Sequence, residues 1–230
     1  MIRTILGIAV ALAVAAFLVR RALRERQKRR REPERFFGRA KNLLTAAAFE
    51  ATGTVGLPRL VGRYQGFPVQ VLPVVDTLAT RRLPALWLLV TLQDALPVQS
   101  RFDLMMRPTG PTTFSNFDLL PVTMQRPADF PEHAVLRTDD EDHVLPAHVV
   151  ARHLDVFEST RAKELLITPN GVRLVWLLAE ASRARYGVFR EADFGDADVD
   201  PQILGELLER LIAIRSSILD WASRSSGAGA

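Results

Sequence analysis

The chain has no cysteine among its 230 residues, which excludes a disulfide framework, a thiolate zinc site and a cysteine nucleophile. Lysine is scarce as well: Lys28, Lys41 and Lys163 are all there are, and none sits in a Schiff-base or phosphate-binding motif. There is no G-x-S-x-G elbow, no Walker loop and no dinucleotide G-x-G-x-x-G. The stretch "PTGPTT" at 108–113 could offer backbone amides to a phosphate, but no basic residue or helix start comes after it, and it reads as a plain surface loop. Carboxylate chemistry leaves no linear motif. With every other signature missing, no enzymatic activity and no cofactor are expected.

Charge is also missing from residues 4–19, "TILGIAVALAVAAFLV". With Arg3 and Arg20 snorkelling at its ends, this stretch reaches the lower limit of a spanning helix, about 17 residues. A cleaved secretory signal is the competing reading, because Ala13-Val14-Ala15 resembles a small-x-small cleavage site. The basic run just beyond it decides against cleavage. Residues 18–35, "LVRRALRERQKRRREPER", carry nine Lys or Arg against three Glu, a mature start that would resist translocation. Residues 1–22 therefore read as a single uncleaved transmembrane anchor. The Lys/Arg imbalance puts the N-terminus outside and everything after Arg20 in the cytoplasm, at an inner membrane. Gly7, Ala11 and Ala15 recur every four residues and give the anchor a small-residue face suited to helix pairing.

The excess of basic charge is confined to this end. Ten of the 30 Lys and Arg but only three of the 26 Asp and Glu fall within residues 1–35, so the rest of the chain is mildly acidic. An acidic body is a poor footprint for nucleic acid, which is not expected as a partner. Arg20, Arg21, Arg24, Arg26, Lys28, Arg29, Arg30 and Arg31 are expected instead against the anionic headgroups of the cytoplasmic leaflet, where each nearby cation gains about 1 kcal/mol.

Residues 23–54 read as a basic juxtamembrane segment and an amphipathic linking helix. In that helix Phe36, Phe37, Ala40, Leu43, Leu44, Ala47 and Ala48 keep a 3.6-residue period up to Thr52-Gly53. From residue 55 to 222 the pattern is that of an α+β domain, mostly antiparallel sheet with a mid-chain helix and a C-terminal packing helix. "RLVGRYQGFPVQVLPV" reads as two strands about Gln65-Gly66, and "ALWLLVTL" at 85–92 as a strand covered on both faces. "RFDLMMRP" alternates, with Phe102, Leu104 and Met106 inward and Arg101, Asp103 and Arg107 outward. A further strand pair is expected around "FDLLPVTMQ" and a helix over 146–157. A hairpin is expected through Pro169-Asn170-Gly171. Beyond Pro201 a wide stripe of Leu204, Leu207, Leu208, Leu211, Ile214, Ile218 and Trp221 marks a helix packed on a sheet. Residues 223–230 read as a disordered tail.

One stretch gathers ionisable groups. "RTDDEDHVLPAHVVARHL" holds His143, His148 and His153 beside Asp139, Asp140, Glu141 and Asp142, with His133 just before. His148 and His153 are five apart, about 140° around a helix, which misses the i, i+4 spacing of a helical metal site. The acidic run lacks the glycine of a calcium loop. It reads as a solvated acidic turn, and no metal is expected.

The hairpin "GRYQGFPVQV", the segment "SNFDLLPVTM" and the closing "PQILGELLERLIAI" together resemble a diffuse group of bacterial membrane-anchored proteins with domains of the DUF3137 type. The matching positions are Gly62, Tyr64, Gly66, Val69, Phe117 and Asp118. The resemblance implies non-catalytic association at the inner membrane and brings no catalytic residue with it. The leading expectation is thus a single-pass membrane protein whose domain binds other subunits of a membrane complex, or itself. The alternatives are a tethered lipid- or small-ligand-binding module, which a concave pocket ringed by arginine would favour, and a hydrolase using the His and Asp cluster. An exposed apolar patch would favour the first.

Overall fold

The computed structural model of the chain describes residues 33–52, 57–78, 83–183, 186 and 192–227. The expected anchor over 1–22, its Gly7, Ala11 and Ala15, and the cations from Arg20 to Arg31 lie outside the described residues. Among the described residues no helix is long and apolar enough to cross a membrane.

Alternation of apolar residues builds one antiparallel sheet. Leu60 in β2 (Arg59–Tyr64) and Val69 and Val71 in β3 (Phe67–Asp76) are buried. Their hairpin closes through Gln65 (φ 49°) and Gly66 (φ 87°), the two positive angles of a tight turn that matches strand twist. The central strand β4 (Ala85–Gln93) pairs with β3 and with β9 (Gly171–Glu180). The sheet continues through β8 (Ala162–Thr168), β5 (Phe102–Met106), β7 (Ala134–Thr138) and β6 (Val122–Met124), and β1 (Thr45–Glu50) closes the other end. Its order is β1-β2-β3-β4-β9-β8-β5-β7-β6.

One face carries Val71, Val90, Leu92, Leu174, Leu165, Leu104 and Leu136, all buried and brought into line by strand register. The long helix Pro201–Gly227 lies over this face with Leu204, Leu207, Leu208, Leu211, Ile214 and Ile218 buried; counting His148–Ala151 as α1, this helix is α2. It is pinned at its rim by Arg210 on Asp155, by Arg215 on Asp94 and over the Phe67 ring (4.5 Å), and by Glu209, which accepts from the Tyr64 hydroxyl and the Gln65 amide (2.7 Å each).

The opposite face has its own smaller core. The segment between β5 and β6, residues 107–121, folds back over it as a strap. Phe114 and Phe117 of the strap pack on Leu89, Met105 and Val175, and Trp87 meets Phe114 with ring centroids 5.0 Å apart.

Five expectations need correction. The linking helix is a helical turn over 33–37 and a 3-10 turn at Ala40–Leu43, succeeded by strand β1. Gly38, at φ 45°, donates its N–H to the Glu34 carbonyl (3.1 Å) and ends the turn, as a left-handed glycine does at a helix C-terminus. The folded unit therefore starts well before residue 55, since Phe36, Phe37, Ala40 and Leu44 are buried in the main core. The helix expected over 146–157 is broken into α1 and a 3-10 turn at Leu154–Glu158, and the strand pair expected around "FDLLPVTMQ" is a 3-10 turn at Phe117–Leu119 and β6, which pairs with β7. At the C-terminus α2 runs on to Gly227 through the stretch read as a tail.

Candidate functional site

The strapped face is where polar chemistry is buried. Register brings Thr91, Arg173, Leu166, Asp103, Arg137 and Thr123 into one row across β4, β9, β8, β5, β7 and β6. The next row is Leu89, Val175, Glu164, Met105 and Val135. Asp103 does point away from Phe102 and Leu104, as alternation requires, but the strap covers that side and leaves Asp103 only 2% exposed and Glu164 0%. Asp103 is therefore on the side expected of it, but that side is buried.

The two carboxyls stand on adjacent strands, close enough for each to shift the other's proton affinity. Ser115 of the strap donates its hydroxyl to Glu164 Oε1 and accepts the Phe117 N–H (3.0 Å). No donor among the described residues reaches Asp103 Oδ1 or Glu164 Oε2. Two buried carboxylates in that position would each lack a partner and repel the other, so one proton must lie between them. Burial first, and then the Glu164 charge, raises the Asp103 carboxyl to about 9. Burial raises Glu164 too, opposed by the Ser115 hydrogen bond and by Arg173. Both carboxyls are thus raised by burial, Asp103 further than Glu164, and the pair keeps a proton at neutral pH.

Arg137 holds the strap from the next strand. Its Nη1 donates to the carbonyls of Asp118 (3.1 Å), Phe117 and Leu120 (3.4 Å each), and its guanidinium lies over the Phe117 ring at 5.1 Å. Between strap and sheet remains an open cleft of about 370 Å³, lined by Arg101, Arg173, Asp103 and Thr168 on the sheet side and by Thr112, Thr113, Ser115 and Asn116 on the strap side. Arg173 Nε donates to Thr91 Oγ1 (3.2 Å). Arg101 lies 3.6 Å from Asp139.

The histidine cluster does not converge. His143 pairs with Asp140 (2.8 Å) at the surface, whereas His153 is buried and bonds through Nε2 to Ser217 of α2 (2.8 Å). His133 and His148 are exposed. Among the described residues no three His, Asp or Glu side chains are placed to share a metal ion. Of the resemblance positions, Gly62 serves packing, because a Cβ there would meet Leu44 Cβ at 2.9 Å, and Phe117 is the strap's anchor.

The sequence holds a sign of this site that alternation alone passes over. Asp103 in "FDLMM", Glu164 in "AKELLIT" and Arg173 in "GVRLVWL" each place a charge in a mostly apolar strand, on three neighbouring strands.

No family model and no curated protein matches this chain. Among solved structures it is similar to the crystal structure of the mycobacterial trehalose monomycolate transport factor A, TtfA, with a TM-score of 0.45 and 11% identity over 83% of this chain and 94% of that one.

Proposed function

We propose that this chain is a membrane-tethered binding protein without catalytic activity: residues 1–22 anchor it, the cations from Arg20 to Arg31 seat it on anionic headgroups, and the α+β domain takes a small ligand bearing an acidic group between strap and sheet. The observation that carries the reading is that Arg101 and Arg173 line the same cleft. An arginine fork matches a carboxylate or phosphate oxygen pair, and the proton held by Asp103 and Glu164 leaves that pair one charge rather than two to repel such a group. Full-length protein in mild detergent, titrated with inorganic phosphate and separately with phosphatidylglycerol vesicles, tests it. Saturable binding that Arg173→Ala abolishes supports the cleft, and the two probes separate a free anion from a lipid headgroup. Binding of neither, or binding that Arg173→Ala leaves intact, rejects it.

A second reading, association with another subunit of a membrane complex or with a second copy, rests on β1. That strand pairs with β2 alone, and five of its six residues are exposed, which leaves a row of edge N–H and C=O groups open to another strand. The native mass of the protein extracted from its own membranes, with co-purifying chains identified, decides it. A discrete assembly supports this reading, and a bare monomer rejects it.

A further inference from the structure

We infer that the strap over residues 107–121 is a proton-operated latch: the single proton between Asp103 and Glu164 keeps it seated, and loss of that proton releases it from the sheet. The latch is a property of the strap and does not depend on what the cleft binds.

The geometry sets up the coupling. Thr113 Oγ1 donates to the Val75 carbonyl of β3 (3.2 Å) and Lys163 to the Arg107 carbonyl (2.9 Å), and two further polar grips flank Phe117. One is Arg137, which holds three carbonyls. The other is Ser115, which donates to Glu164 on β8. Glu164 in turn neighbours the Asp103 carboxyl, and each of the two has a buried oxygen without a donor, Asp103 Oδ1 and Glu164 Oε2, a deficit that one proton held by the pair relieves. Behind Ser115 come Phe114 and Phe117, which close the second core over Leu89, Met105 and Val175. This core is small, so a local change at its polar edge can open it without unfolding the sheet beneath.

The charges around the pair explain why one proton is held and two are not. Arg173 on β9 acts on both carboxyls, Arg101 at the start of β5 acts on Asp103, and Lys163 on β8 acts on Glu164. Lys163 also donates to the Met106 and Arg107 carbonyls at the strap's first residue. On β7, Arg137 is the cross-strand neighbour of Asp103 but is engaged by the strap. These cations support one negative charge on the pair. A second, in a site from which water is excluded, has no donor to receive it, and the carboxyls separate. Moving Glu164 away from Asp103 moves the acceptor of Ser115 with it.

Hydrogen exchange of the full-length protein in mild detergent at pH 6 and pH 9, with protection corrected for base catalysis, reads the latch directly. The amides of residues 112–120 are expected to lose at least tenfold in protection at pH 9, while those of β4 at 86–92 hold theirs. Asp103→Asn keeps a donor for Glu164 but cannot ionise, and is expected to keep the strap protected at both pH values; Glu164→Gln provides the same test should the first variant fail to fold. Ser115→Ala, which removes the grip itself, is expected to lower strap protection at both. Equal wild-type protection at pH 6 and 9, loss in β4 as large as in the strap, or an unchanged pH response in the foldable carboxamide variant would each overturn the latch.

Discussion

Asp103 and Glu164 stand on adjacent strands as two buried carboxyls, each with an oxygen that no hydrogen-bond donor in the described residues reaches. Neither residue is explained by the strand that carries it. Both are explained by the strap, which takes an ordinary outward sheet face and makes it an interior. The proton they share results from that burial, and with it a dependence of the whole domain on pH.

The first prediction is a loss of stability toward alkaline pH. Asp103 has its folded pKa raised to about 9, well above the unfolded carboxyl range near 3.9. Between those values the native state binds more protons than the unfolded one, so the contribution is fully present below about pH 4 and declines as pH rises through the folded value. Thermal midpoints measured from pH 5 to pH 9 should fall for wild type relative to Asp103→Asn. Parallel curves for the two proteins would contradict the assignment.

How much of this can be read beforehand depends on distance along the chain. The Gln65-Gly66 and Pro169-Asn170 hairpins are local, and turn chemistry with alternating neighbours places them; the stripe of α2, from Pro201 onward, is local in the same way. The segment from Phe36 to Phe49 misleads because Ala47 and Ala48 continue a helical period that Gly38 has already ended, and because β1 exists only through its pairing with β2. The site is the least local feature of all. Asp103, Ser115, Glu164 and Arg173 come from four separate segments, and nothing short of the sheet order reveals that they meet.

Acid should act through a different residue. Ser217 donates its hydroxyl to the Ala213 carbonyl (3.1 Å), so in the His153–Ser217 bond the donor is His153 Nε2–H. Burial first, then Arg152 and Arg210, lower the His153 pKa. The native state therefore favours neutral imidazole, and its contribution is lost as pH falls below the ordinary value of about 6.5. Asp155, held down chiefly by Arg210, loses its contribution only at lower pH, in the carboxylate range. Denaturant melts at pH 7.5 and pH 5.5 should show a larger loss in wild type than in His153→Gln, and an equal loss would remove His153 from the account.

Gly171 is fixed by space as well as by angle. It sits at φ 144°, and a Cβ built there would lie 2.2 Å from the Leu92 carbonyl oxygen, part of the β4 backbone that cannot step aside cheaply. Gly171→Ala should cost at least the 1–3 kcal/mol of a strained backbone position. Urea unfolding of the two proteins measures it, and a difference under 0.5 kcal/mol, roughly the scatter of neutral surface changes, would show that the β8–β9 hairpin relaxes more than its packing suggests.

Leu208 tests which face carries the fold. It is fully buried in α2, within the core formed by Leu88, Val90 and Leu174. Leu208→Ala should destabilise by about 2–5 kcal/mol, the cost of a large cavity in a core that cannot collapse around it. Phe117→Leu, in the smaller strapped core, should cost less, because the strap can shift to meet the smaller side chain. Chemical denaturation of both variants ranks the two faces. If Phe117→Leu proved the more damaging, the strap would be an integral part of the domain, and the latch would have to open by unfolding the sheet with it.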